Sequence, residues 1–306
     1  MSGEENEAVA ASCCASCGVA EIDDIKLLVP CDDCDLVKYC SDECQNNHKS
    51  EHEEGCKKRA AELREELLFK QPESSHLGDC PICSLPLPLD RTKSVMYTCC
   101  CKIICGGCLR ANAVRDNEER LQRKCSFCRK PISKTDEESD ERRMKRVEAN
   151  DPVAMNEEGS CCYNKGDYDG AFDYFSKAAK LGYAESHYHL ACLYRDGEGV
   201  EKDKGEEIRH MEEAAIGGHP QARYNLGRHE LTNGKVGRST KHLVISAAQG
   251  FDDSIDSLMK AFKLGLVKKE VLAAALRAHK AAVDATKSPQ RKIAEEAISK
   301  YRSVKK

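Results

Sequence analysis

The chain has 306 residues, of which 33% are charged, with six Phe and no Trp, and its formal net charge is only −4. No stretch approaches the roughly 18 apolar residues of a membrane span. The opening MSGEENEAVAAS has no apolar core, so membrane insertion and secretion are excluded as expectations. The small net charge hides blocks: residues 1–56 carry fourteen Asp/Glu against three Lys/Arg, residues 80–131 four against ten, and residues 260–306 four against thirteen. Charge-selective contacts follow from such segregation.

Seventeen of the twenty cysteines lie in the first 131 residues, and most stand in C-x-x-C pairs: Cys14/Cys17, Cys31/Cys34, Cys80/Cys83, Cys105/Cys108 and Cys125/Cys128. Two thiolates at that spacing can share one tetrahedral zinc at about 2.3 Å. With no secretory signal, zinc is expected over disulfides, and with it a reducing compartment, cytoplasmic or nuclear. The cysteine-rich front has too few large apolar side chains to hold itself by burial, which is the situation in which small modules lean on metal.

The first cluster reads C14-x2-C17-x13-C31-x2-C34-x5-C40-x3-C44-x7-H52-x3-C56, eight ligands for two sites. Cys40/Cys44 and His52/Cys56 are each i,i+4 pairs, able to face one ion from one side of a helix. The run Y-C-x3-C-Q followed by H-x3-C resembles a MYND-type zinc finger over residues 14–56. By that family's interleaved pattern Cys14, Cys17, Cys40 and Cys44 would hold one zinc, and Cys31, Cys34, His52 and Cys56 the other. The family has Trp where Lys49 stands here, a departure that bears on its usual binding of Pro-containing peptides. Cys13 is a spare thiol, and His48 is expected on the surface. Zinc in such a site closes its coordination and folds the module rather than doing chemistry. The cluster's acidity argues against nucleic acid, whose phosphates need Lys and Arg.

Residues 57–71 read as a charged amphipathic helix stopped by Pro72. The second cluster follows: Cys80-Pro-Ile-Cys83, the run Leu85-Pro-Leu-Pro-Leu89, the triplet Cys99-Cys100-Cys101, Cys105-x2-Cys108, a basic helix-like stretch to Lys124, and Cys125-x2-Cys128-Arg129-Lys130-Pro131. Aromatic side chains for stacking single strands are scarce here, just Tyr97 and Phe127. The frame C-P-I-C … C-x2-C … C-x-F-C-R-x-P resembles a RING-type finger. The resemblance implies one site from Cys80, Cys83, Cys105 and Cys108. Cys125 and Cys128 would join two of the triplet in the other; ordinary RING spacing favours Cys99 and Cys101, with Cys99 and Cys100 as the rival. His76, just upstream, is a candidate for the missing His ligand, or else a solvated loop residue. In ligases of that family the residues matching Ile82 and Pro131 touch a ubiquitin-conjugating enzyme, and the one matching Arg129 holds ubiquitin's tail. Such a finger supplies no nucleophile and acts by positioning.

Residues 133–150 are a charged linker, helical toward its end. Beyond Pro152 the chain repeats. Ala178-Ala179 with Gly182 recurs 36 residues later as Ala214-Ala215 with Gly218, and Tyr188-x-Leu190 as Tyr224-x-Leu226. A period near 36 with two helices per unit marks a helical solenoid. The unit with Gly197-x-Gly199-Val200 and Asp203 resembles a SEL-like repeat, a relative of the tetratricopeptide repeat, and implies protein or peptide binding on its concave face. Cys161, Cys162 and Cys192 are expected to pack as small apolar groups. Helices near 268–286 and 288–303 read as a basic cap, the second with Ser288 as N-cap and Pro289 at its first position.

The expected fold is mostly α: two small zinc-bound finger modules followed by an α-helical repeat solenoid. The expected divisions are a disordered 1–12, a MYND-type finger 13–56, a helical linker 57–79, a RING-like finger 80–131, a charged linker 132–150, repeats 151–265 and capping helices 266–306. About four zinc ions are expected, with no catalytic residue of the chain's own. The domain order resembles a group of modular zinc proteins and points to an interaction adaptor, with ubiquitin ligation on one reading and a scaffold or transcriptional cofactor with structural zinc on the other. The expected partners are proteins or peptides, a ubiquitin-conjugating enzyme among them, without membrane or nucleic acid.

Overall fold

The computed structural model describes residues 13–19 and 28–304, so the expected disordered segment 1–12 lies outside them. The chain divides into two compact units, residues 1–70 and 71–306.

In the first unit a two-residue hairpin pairs β1 (Val29–Pro30) with β2 (Lys38–Tyr39), in the register Val29 opposite Tyr39, and Cys14 bridges to Lys38 beside it. The buried interior is Cys14, Leu28, Cys31, Cys34 and Tyr39, with Cys40, Cys44 and Cys56 packed against it. Sulfur replaces hydrocarbon in this core. Helix α1 (Asp42–Phe69) starts at Ser41, whose hydroxyl accepts from the Cys44 amide at 3.3 Å, and carries Asp42 and Glu43 in its first turn. The helix expected at 57–71 is therefore the second half of one 28-residue helix that begins inside the finger. Gly55, the weak point between the halves, costs about 1 kcal/mol against Ala, too little to break a helix anchored at its start.

The second unit opens with an irregular arm, residues 71–79, and a second finger. A 3-10 turn (Arg91–Lys93) leads into β3 (Ser94–Tyr97), antiparallel to β4 (Lys102–Cys105), and then α2 (Gly106–Glu118). Leu87 and Ile104 are buried beside Cys80, Cys105 and Cys108. The expected charged linker contains helix α3 (Asp136–Glu148), capped by the Thr135 hydroxyl at the Glu138 amide. It packs on the next helix through Arg143, which donates to Glu158 at 2.7 Å.

The helical pairs follow: α4 (Pro152–Asn164) with α5 (Tyr168–Lys180), α6 (Ala184–Asp196) with α7 (Lys204–Ile216), and α8 (Pro220–Thr232) with α9 (Val236–Ala248). Small residues set the spacing; Ala171, Ala178, Ala191, Ala214, Ala215, Ala222 and Ala247 are all buried. Phe175, Leu190, Leu193 and Cys162 fill the space between the first two pairs. Gly199 makes the turn between α6 and α7 possible: it sits at φ +70°, and a Cβ there would lie 2.5 Å from the Tyr168 carbonyl oxygen of the preceding pair.

Helices α10 (Asp252–Lys263) and α11 (Lys269–Ala285) close the stack over α9. The last helix, α12 (Pro289–Val304), was expected to continue that cap; instead it packs along α2 of the second finger. Backbone atoms of Arg291 stand 2.9 Å from where a Cβ on Gly107 would be, so only glycine admits this approach.

Candidate metal centres

Among the described residues, sixteen of the cysteine and histidine side chains gather into four tetrads, each with its donor atoms within 4.8 Å of one another. The first finger forms Cys14–Cys17–Cys40–Cys44 and Cys31–Cys34–His52–Cys56. Its pairs approach to 3.6 Å (Cys17–Cys40 and Cys40–Cys44), 3.7 Å (Cys31–Cys56) and 3.0 Å (Cys34 to His52 Nε2). Helix α1 supplies Cys44, His52 and Cys56, so one rigid element feeds both sites. His48 is no ligand; its Nδ1 lies 3.1 Å from the Tyr39 hydroxyl, and its ring stacks on His52. Cys13 is exposed and outside both tetrads.

The second finger forms Cys80–Cys83–Cys105–Cys108 and Cys99–Cys100–Cys125–Cys128. The first and third pairs along the chain share one site, and the second and fourth share the other, so neither ion can leave without loosening the span that holds its neighbour. The favoured Cys99/Cys101 choice is corrected. Cys100 lies 3.5 Å from Cys125 and Cys99 lies 3.2 Å from Cys128, whereas Cys101 is buried elsewhere. At φ +54° Cys101 reverses the chain after its amide bonds to the Tyr97 carbonyl. That reversal turns its thiol toward Arg146, and burial, with Asp151 nearby, pushes it up to about 12.

Donor chemistry and spacing both fit zinc. Sulfurs on one tetrahedral zinc lie about 3.8 Å apart, given bonds of about 2.3 Å. Knuckle amides point at the sulfurs: the Cys105 and Cys108 amides donate to Cys80 and Cys105 at 3.4 Å each. The Cys17 amide, foremost among several, lowers the Cys14 thiol to about 6. Burial opposes ionisation of Cys80, but the amides of Cys105, Cys83 and Ile82 bring it to about 7. Their crowded neighbours respond oppositely. Cys40, bonded to Cys44 and Cys17, and Cys56, desolvated beside Cys34 and Cys31, are each raised to about 12. Four adjacent thiols cannot all ionise by themselves, and a divalent cation is what removes that penalty. The chain is a zinc protein with places for about four ions.

A fifth cluster was not legible in the sequence. His76, expected as a solvated residue or a spare ligand, is buried with Glu185 and His219. Its Nε2 lies 2.7 Å from Glu185 Oε2, with His219 Nε2 at 3.5 Å and Arg91 at 3.3 Å from the same oxygen. The Ala222 amide donates to His219 Nδ1 at 3.2 Å, which puts the ring proton on Nε2, toward Glu185. Burial lowers His219 to about 4, and the two imidazoles hold the Glu185 carboxyl far below its usual range against its own desolvation. The trio sets two imidazoles against one buried carboxylate, and it ties the arm before Cys80 to α6 and α8. The His76 amide also donates to the Gly218 carbonyl at 3.1 Å.

Of the three residues expected to meet a partner, Ile82 (42% exposed) and Arg129 line one cavity of about 400 Å³, with Arg115, Leu121 and Ser126 among its other walls. Pro131 is exposed but outside that cavity; it bridges to Lys124.

Residues 14–56 match the MYND finger family, and residues 152–183 and 184–219 each match the Sel1 repeat family. Among solved structures, a protective antigen of uropathogenic Escherichia coli strains displaying an SLR fold is 29% identical, over 45% of this chain and 33% of that one, with a TM-score of 0.40. A Sel1 repeat protein from Oxalobacter formigenes is 25% identical, over 57% of this chain and 73% of that one, with a TM-score of 0.43. The chain spans about a third of the Escherichia coli antigen's length. The chain therefore combines a MYND finger match, four metal tetrads and Sel1 repeat matches.

Proposed function

We propose that the second finger is a RING-type ubiquitin-ligase element that docks a ubiquitin-conjugating enzyme, while the Sel1 repeats recruit the client. One observation carries this reading: Ile82, projecting from the first knuckle, and Arg129, directly after the last ligand, line the same open cavity beside an interleaved pair of tetrads. The finger's own helix keeps that side free. Asn112, Arg115 and Asp116 of α2 line the cavity, while Gly106 and Gly107, on the opposite face, border α12. Catalysis would be positional: the finger holds a thioester made by another enzyme, and Arg129 steadies ubiquitin's charged tail.

The test is a discharge assay with a panel of conjugating enzymes. Ile82→Ala is expected to abolish stimulation without releasing zinc, since losing an apolar anchor costs about 2 kcal/mol or more of binding. Arg129→Ala is expected to slow transfer while partner binding persists. If no enzyme is stimulated by the intact chain, the non-enzymatic scaffold with structural zinc stands instead. Fifteen of the twenty cysteines gather in metal tetrads, and thiolate ligands of that kind persist where thiols stay reduced, so we place the protein in a reducing compartment, the cytoplasm or the nucleus.

A further inference from the structure

Arg291, in the first turn of α12, is 5% exposed and reaches into the second finger. Its Nη1 donates to the Pro86 carbonyl at 2.6 Å and to the Thr286 carbonyl at 2.8 Å. Its Nη2 donates to the Leu85 carbonyl at 3.1 Å and to the Cys83 sulfur at 3.4 Å. The Leu/Pro run after the knuckle thus presents two carbonyls as a seat for the guanidinium, next to a metal-ligating thiolate. The Ser288 hydroxyl, accepting from the Arg291 amide at 3.2 Å, fixes where the helix starts and so where this side chain points. Gly107, between ligands Cys105 and Cys108, is the residue whose missing Cβ lets the helix in.

A buried guanidinium needs a counter-charge. Among the described residues no carboxylate ion-pairs with Arg291. The nearby Lys93–Glu295 pair, at 3.1 Å, is a separate and exposed contact. The negative charge facing Arg291 is that of the cysteine cluster: four thiolates around a divalent ion carry a net charge of −2. The N–H donors of such an outer partner strengthen a metal site by orienting its ligands and offsetting their charge.

We propose that Arg291 is an outer-sphere partner of the Cys80–Cys83–Cys105–Cys108 zinc centre, so that zinc occupancy of this one site and docking of the C-terminal helix on the finger are a single coupled equilibrium. Zinc supplies the charge arrangement that holds α12, and α12 in turn holds zinc; the coupling is equal in both directions. Loss of this ion frees α12 and uncovers the face of α2 that bears Gly106 and Gly107. The coupling is independent of whether the finger is a ligase.

The experiment uses the full chain and two readouts. In the first, zinc is stripped with increasing chelator and its release is counted by a colorimetric dye. Arg291→Met is expected to release one ion of about four at a chelator concentration about 10–100-fold lower than the wild type requires, the range for loss of an outer-shell partner. Arg291→Lys, which keeps the charge but loses the fork, is expected to fall between. Lys93→Ala, which removes only the exposed pair, is expected to release zinc as the wild type does. In the second readout, hydrogen exchange of the α12 amides in the wild type is followed along the same chelator series. Protection is expected to vanish as that ion leaves. The proposal is overturned if folded Arg291→Met keeps all its zinc to the wild-type chelator concentration. It is equally overturned if α12 stays protected after the site is emptied, a measurement that stands even if the Met variant does not fold.

Discussion

The two fingers solve one problem with different support. The first draws both its sites together through a single helix, α1, and its buried core is mostly sulfur. The second uses a β-hairpin and a short helix, and it is braced by neighbours in its own unit: the arm clamped through His76, helix α3, and α12 through Arg291. The Ser139 hydroxyl of α3, for instance, sits 3.2 Å from the Thr98 hydroxyl at the hairpin turn. Identical ligand chemistry therefore does not mean identical dependence on metal. A finger whose core is mostly cysteine owes its fold to zinc, whereas one seated among helices keeps part of its surroundings when zinc goes.

Complete chelation is the largest way to test that contrast. Structural zinc supplies roughly 10–16 kcal/mol to a small finger. Stripping all of it is expected to unfold the first finger entirely and to open residues 80–131, while helices α4 to α11 survive. Circular dichroism with limited proteolysis would show this; loss of the repeat helices as well would erase the distinction. Within a finger, Cys44→Ser and His52→Ala remove ligands from different sites but are each expected to release both ions of the first module, because α1 carries ligands to both. Full zinc retention there would break the shared-fold account.

The Cys100/Cys101 pair sharpens the second half of the comparison. Cys100→Ser is expected to lose zinc by metal analysis, whereas Cys101→Ser is expected to keep about four ions and lose about 1–3 kcal/mol for a buried hydroxyl. The reverse result would restore the Cys101 ligand set.

Acid should separate the repeats from the fingers in the zinc-stripped chain. Burial lowers His210 and His219 to about 4 and His242 to about 3. Unfolded histidines titrate near 6.5, so below that pH the unfolded chain binds protons that the folded repeats refuse. Repeat stability is thus expected to be full above about pH 6.5 and to fall as pH drops toward about 4. A thermal melt of the repeats that does not change between pH 7 and pH 5 would contradict it. The smallest effect is at the helix bracing the second finger: Thr135→Ala is expected to cost about 1 kcal/mol through loss of the α3 cap, seen as a slightly lower melting temperature with all zinc retained.

Ligand spacing, repeat period and capping residues are local properties, and those were legible in the chain itself. The first finger's eight ligands stand out in the spacing between Cys14 and Cys56, their division into two tetrads is what the MYND resemblance implied, and the paired helices follow from the recurrence of Ala, Gly and Tyr at 36 residues. Ser288 and Pro289 likewise marked the start of α12. What the sequence left open turned on direction in space. Three adjacent cysteines offer equal chemistry, and a left-handed residue at Cys101 decides which two face the metal. His76 looked like a loop histidine because its partners, Glu185 and His219, are more than a hundred residues away and meet it only once the repeats have stacked. Arg291 looked like one more charge on a basic cap; its role depends on two carbonyls and a sulfur some two hundred residues earlier in the chain. Periodicity and spacing report the contacts a segment makes with itself. The choice of metal ligand within a triplet, the burial of a charged side chain and the destination of the last helix are set by which distant surfaces the fold brings together.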